Sequence, residues 1–197
     1  MSGRRLKQSF VTRSAVAFVM LSVTPAVCSG EAATFYVVRI SSVNAWHDLI
    51  TSPAQAEFVD AYVAVAALSH EFSRQRQGAL SWEVEGQLGY NFGDQNHWEF
   101  NAAFGPRWRA FPWSDVVRTE AAFLFGLSMA SEVPELEVAL EGDSDRLLIY
   151  WAVELAAGPP REPWAVVLRL HHRSGGFGFL ADDGGMNAVG LGVRVGF

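Results

Sequence analysis

The stretch Trp82-Glu83-Val84-Glu85-Gly86-Gln87-Leu88-Gly89-Tyr90-Asn91-Phe92 decides the fold. Trp82, Val84, Gly86, Leu88, Tyr90 and Phe92 fall on one parity, and Glu83, Glu85, Gln87 and Asn91 on the other. Strict period two is a β-strand with one face toward something apolar and one toward something polar. Gly93-Asp94-Gln95-Asn96 then signals a tight turn, and the pattern repeats. Trp98, Phe100, Ala102, Phe104 and Trp108 oppose Glu99, Asn101, Arg107 and Arg109.

Working outward, the same alternation yields six further strands. Thr119, Ala121, Phe123, Phe125, Leu127 and Met129 form a fifth, opposed by Arg118, Glu120, Gly126 and Ser128. Leu147 to Leu155 is the sixth, with Tyr150 and Glu154 on its polar side. Trp164, Val166, Leu168 and Leu170 against Arg169 are the seventh. Val189, Leu191, Val193, Val195 and Phe197 against Gly190, Gly192, Arg194 and Gly196 are the last. Toward the N-terminus the pattern weakens. Thr34 to Ser41 is a first strand, with Tyr36, Val38 and Ile40 on one face and Arg39 on the other. Phe58 to Phe72 is a second, so rich in Ala and Val that its facing is ambiguous. Ser42 to Ala56 connects them and has room for a helical turn.

Eight alternating strands, 50% hydrophobic residues and only 18% charged ones predict an all-β fold. The expected architecture is an eight-stranded antiparallel transmembrane β-barrel of outer-membrane type, over residues 31–197. Closure matters because hydrocarbon cannot satisfy the free backbone groups of a sheet edge. The inward face mixes Glu83, Glu85, Glu99, Glu120 and Glu154 with Arg107, Arg109, Arg118, Arg169 and Arg194, which suggests a paired polar core and not a pore. Trp98, Trp108, Trp113 and Trp164 stand near strand ends, where an interface girdle would lie. The soluble alternative is a lipocalin-like barrel, which reverses the two faces.

Residues 1–30 read as a Sec-type signal peptide that directs the chain to the outer membrane. Arg4, Arg5, Lys7 and Arg13 precede the short apolar run Ser14 to Val23, and small residues over 26–31 suit cleavage. Cys28, the one cysteine, falls there; Pro25-Ala26-Val27 ahead of it matches a lipoprotein signal poorly. A single cysteine gives the mature chain neither a disulfide nor a thiol metal site, and no metal or cofactor is expected. A net charge of −6 without a basic patch argues against nucleic acid.

With short turns on the periplasmic side, strand 7 ends facing outward. It ends in His171-His172-Arg173-Ser174-Gly175-Gly176. His172 and Ser174 share the parity of Leu168 and Leu170, and Asn187 that of Val189 and Leu191, so all three fall on the lipid-facing side at one height. Polar groups there are costly unless they serve a purpose. His171 and Arg173 have inward parity. The acidic loop Ser131 to Asp145 reads as a solvated turn; contact with a partner, or bridging of divalent cations to lipopolysaccharide, is the alternative.

His172-Arg173-Ser174 resembles the His-x-Ser motif of outer-membrane lipid A deacylases, the PagL-type acyloxyacyl hydrolases, with this chain a divergent member. Those proteins are eight-stranded barrels whose Ser-His-Glu triad removes an ester-linked acyl chain from lipid A at the outer leaflet. The resemblance implies His172 as base and Ser174 as nucleophile. Two positions depart from the family. Gly175 stands where an Asn follows the serine, leaving the backbone N–H groups of Gly175 and Gly176 to hold an oxyanion. Asn187 stands nearest the place of the Glu, where it could still orient the histidine; Asp182 and Asp183 are alternative acids. Arg173 would either reach a lipid A phosphate or pair inside the lumen. The competing reading is a non-catalytic structural or surface-interaction barrel, with a small transporter or a soluble periplasmic barrel behind it.

Overall fold

The computed structural model describes residues 30–42, 46–75 and 78–197. The proposed signal peptide and Cys28 lie outside them. Eight antiparallel strands follow one another around a closed barrel: β1 Glu31–Ser41, β2 Phe58–Arg74, β3 Leu80–Gly93, β4 Trp98–Trp108, β5 Arg118–Ala130, β6 Leu147–Gly158, β7 Trp164–Ser174 and β8 Gly185–Gly196. Closure joins β1 to β8, in register from Ala32↔Gly196 to Ser41↔Asn187. Among the described residues two α-helices lie outside the sheet, α1 Trp46–Thr51 between β1 and β2, followed by a 3-10 turn at Pro53–Gln55, and α2 Glu135–Glu141 between β5 and β6. Both, with the loops before β4 and β8, gather at one mouth, here the loop end. The start of β1, the end of β8 and the turns after β2, β4 and β6 gather at the other, here the terminal end.

The outer wall is apolar. Phe100, Phe104, Phe123, Phe125, Leu127, Leu168 and Leu191 all point outward and are exposed. A soluble barrel would bury that set, so the lipocalin-like alternative fails on the facing of its side chains. Trp108, Trp113 and Trp164 mark the terminal end and Trp98 the loop end, as girdles do.

Inside, the polar faces of the strands meet. The Arg107 guanidinium forks onto Glu83 (Nε–Oε2 2.9 Å, Nη2–Oε1 2.7 Å) and also binds Glu154 at 2.8 Å. Arg169 links Glu154 at 3.1 Å to Glu85 at 2.5 Å, and Arg194 reaches Glu83 at 3.1 Å. Arg109 and Arg118 sit nearer the terminal mouth, within 3.6 Å of Glu120. Charges withdrawn from water persist only when each has partners with good geometry, and removing one partner from such a pair costs about 3–5 kcal/mol.

β1 and β2 do not continue this lattice. Their inward residues Tyr36, Val38, Ile40, Ala61, Val63, Val65 and Ala67 pack with Met186 and Ala188 of β8 as an apolar cluster. The ambiguous facing of β2 resolves here, with Ala61, Val63, Val65 and Ala67 inside and Ala64, Ala66 and Leu68 outside. Gly192 of β8 admits the cluster: a Cβ there would stand 2.4 Å from the Tyr36 Cβ.

The acidic loop departs from its reading as a solvated turn. Glu132, Glu135, Asp143 and Asp145 are exposed, but α2 turns Glu137 into the loop-end mouth, where it is buried. The reason is Arg173, which is fully buried at that mouth. Glu137 supplies its carboxylate at 2.6 Å and accepts a second bond from the Ser144 hydroxyl at 2.6 Å. Leu136 packs on the apolar cluster beside it. The segment is therefore a stopper, tied in by the Glu137–Arg173 ion pair, by the packing of Leu136 and by the bonds between Ser131 and the Trp98 backbone.

Candidate active site

β7 delivers its residues alternately to the two faces of the wall, which separates His171 from His172. His171 points inward without exposure and bonds Glu99 through Nε2 at 2.9 Å. His172 points outward and is half-buried. Its Cα partners are Trp151 on β6 and Asn187 on β8. That register decides its surroundings. The Nδ1–H donates to Asn187 Oδ1 at 2.7 Å, and the ring lies over the Trp151 indole, centroids 4.4 Å apart and planes inclined by 31°. Trp46 of α1 packs edge-on against Trp151 at 5.3 Å. The imidazole is thus held by a hydrogen bond on one side and by stacked aromatics on the other.

The bond fixes the tautomer. An amide oxygen only accepts, so Nδ1 carries the proton and the neutral ring has its lone pair on Nε2. Such a ring can take a proton from a hydroxyl. Ser174 lies two residues on along the same face, about 7 Å away at Cα by strand geometry. Its own cross-strand partners are Ile149 and Gly185; the glycine leaves the β8 side of the serine open. His172 and Ser174 line one cleft of about 330 Å³, although no hydrogen bond joins the two. Catalytic hydrogen bonds are often loose before substrate arrives.

The other candidate residues divide. Gly175 and Gly176 line the cleft, but the Gly175 N–H donates to Gly184 O at 3.2 Å and is already engaged. A Cβ at Gly175 would stand 2.3 Å from Ala181 O. The loop is folded too tightly there for the asparagine of the deacylase motif. Asp182 and Asp183 also line the cleft, exposed at its rim, and neither bonds the His172 ring. Among the described residues no carboxylate does. Arg173 is not brought to this surface at all: one position out of phase with His172, it points into the lumen, onto Glu137 at 2.6 Å and Arg146 O at 3.2 Å.

Five cleft residues escaped the reading of the sequence: Trp46, Glu141, Trp151, Phe177 and Gly184. Trp151 was within reach, because parity along β6 puts it outward and strand pairing puts it beside His172. Trp46 and Glu141 come from α1 and α2, and no alternation predicts where loop helices settle. The Glu141 carboxyl is held above its ordinary range, first by partial burial and then by the charge of Asp183.

No family model and no curated protein matches this chain. Solved structures do. The crystal structure of the outer membrane enzyme PagL superposes with a TM-score of 0.59 at 11% identity, over 84% of this chain and 99% of that one. Ail, the attachment invasion locus protein of Yersinia pestis, gives a TM-score of 0.42 at 14% identity, over 84% and 97%. At such identity the match to PagL establishes the fold, so this chain is an eight-stranded barrel of the outer-membrane kind.

Proposed function

We propose that this chain is an outer-membrane ester hydrolase that removes an ester-linked acyl chain from lipid A by a Ser-His mechanism. One observation carries the reading: the 2.7 Å bond from His172 Nδ1–H to Asn187 Oδ1, on the lipid-facing wall, with Ser174 two residues on. In barrels of this kind the termini and short turns lie in the periplasm. The loop end then faces outward, and the cleft sits at the boundary of the outer leaflet, where the ester bonds of lipopolysaccharide lie.

His172 Nε2 takes the hydroxyl proton of Ser174 as Oγ attacks the acyl carbonyl. The tetrahedral oxyanion is met by backbone N–H groups, with Gly176 the free candidate now that Gly175 is engaged. His172 returns the proton to the leaving alkoxide, and an acyl-serine remains. Water, deprotonated by the same imidazole, releases the fatty acid. Asn187 orients the ring but neutralises the imidazolium less than a carboxylate would. Asp182 and Asp183 supply negative charge at the rim without touching the ring.

The test is mass spectrometry of lipid A from cells making the wild-type protein, Ser174→Ala, or neither. Loss of one acyl chain in the wild type alone is expected; identical acylation in all three sinks the proposal. A second reading, a structural or surface-interaction barrel, draws on the absent carboxylate, the engaged Gly175 amide and the exposed acidic residues of 131–145. It predicts that identical result.

A further inference from the structure

Between β7 and β8 runs Gly175-Gly176-Phe177-Gly178-Phe179-Leu180. Phe177 is completely exposed and Phe179 is 81% exposed. No described residue covers either ring. Phe177 is also the one non-glycine residue with positive φ (57°) among the described residues, a backbone state that bulky side chains seldom adopt. Such strain persists where the surroundings impose it and often marks a functional segment.

The loop is not a loose tail. Gly175 N–H donates to Gly184 O, Phe179 N–H to Gly176 O and Leu180 N–H to Gly175 O, all within 3.2 Å. These bonds close it into a hook that leaves both phenyl rings exposed at its surface. It leaves β7 directly beyond Ser174, on the outward face that carries the exposed Leu168 farther along the strand. Phe177 itself lines the cleft that holds His172 and Ser174. The other connection at this mouth made of a simple turn, Asp94 to His97, carries no apolar residue.

We infer that this hook inserts Phe177 and Phe179 among the acyl chains of the outer leaflet, where they form the missing wall of the cleft. Outer-leaflet hydrocarbon is the occupant because the hook extends a surface that already faces it. Rings left in water would expose apolar area with nothing gained, whereas in the acyl region they are buried without any further protein partner. The inference holds whether or not Ser174 is a nucleophile.

The experiment uses the full chain with Cys28→Ser, refolded into vesicles of phosphatidylethanolamine and phosphatidylglycerol. An environment-sensitive fluorophore is attached at Phe177→Cys, at Phe179→Cys, or at Asp94→Cys as reference. Retained heat-modifiable gel mobility identifies folded barrels, and the second hook position covers failure of the first. The expected result is blue-shifted emission at 177 or 179, quenched by nitroxide-bearing lipids and not by aqueous iodide, with position 94 behaving in the opposite way. Water-like emission quenched by iodide at both hook positions overturns the inference. Equal lipid quenching at position 94 overturns it too, because the contact would not belong to the hook.

Discussion

His171 and His172 are neighbours in the chain and stand on opposite sides of a wall one strand thick. The inner ring has what a catalytic histidine is expected to have: a carboxylate, Glu99 at 2.9 Å, and a hydroxyl, Tyr36 at 3.4 Å. It is sealed from any substrate. The outer ring has a weaker partner, the Asn187 amide, and faces a cleft. The difference follows from what each side can tolerate. Inside, Glu99 lies in a lattice where guanidinium groups balance carboxylates. Outside, the Asn187 side chain is itself buried, and its neutral amide carries no net charge to desolvate there. The fold therefore spends its charge pairs on the lumen and leaves a neutral dyad at the surface.

That contrast can be broken most severely from the inside. Arg107→Ala leaves Glu83 and Glu154 buried without their shared cation, and should destabilise the barrel by about 3–5 kcal/mol. Urea unfolding in detergent micelles measures it; a loss below 1 kcal/mol would mean that the lattice is dispensable. From the outside, Asn187→Leu removes the partner of His172 Nδ1. Ester hydrolysis should fall by about 100-fold, and the unfolding midpoint should drop as well, because the His172 Nδ1–H loses its acceptor. Asn187→Asp sharpens the same point in the other direction, raising kcat by about tenfold while lowering stability, because a charge has been added at a buried position.

Exchanging the two rings completes the comparison. His171→Leu should cost about 1–3 kcal/mol of stability through the stranded Glu99, yet leave hydrolysis within about twofold. His172→Leu should do the reverse. The smallest effect belongs to Glu141 at the rim of the cleft. Its folded-state pKa is raised, so the folded protein holds the proton more tightly than the unfolded chain. Its contribution is favourable below the ordinary carboxylate range and is lost as pH rises through the raised value. Glu141→Gln should flatten the unfolding midpoint across that window, with titration of the midpoint against pH as the readout.

Strand count, facing of β3 to β8 and the outward position of His172, Ser174 and Asn187 could be read from alternation alone, because lipid and lumen impose opposite polarity on successive residues. β1 and β2 could not be assigned a facing that way. Their inward residues meet an apolar cluster, so both sides of those strands carry Ala and Val and the contrast vanishes. The burial of Glu137 was hidden for a different reason. A short acidic helix looks solvated unless its cation is known, and Arg173 is 36 residues away in sequence. The tautomer of His172 needed the cross-strand register, which pairs it with Asn187 and not with the aspartates of the loop.

The most direct measurement is covalent labelling of the folded protein by a long-chain fluorophosphonate, read by mass spectrometry of peptides. Labelling at Ser174 in the wild type, with at least about a 100-fold slower rate in His172→Asn, is the result expected of a serine activated by this ring. Labelling at the same rate in both, or none at Ser174, would contradict the account.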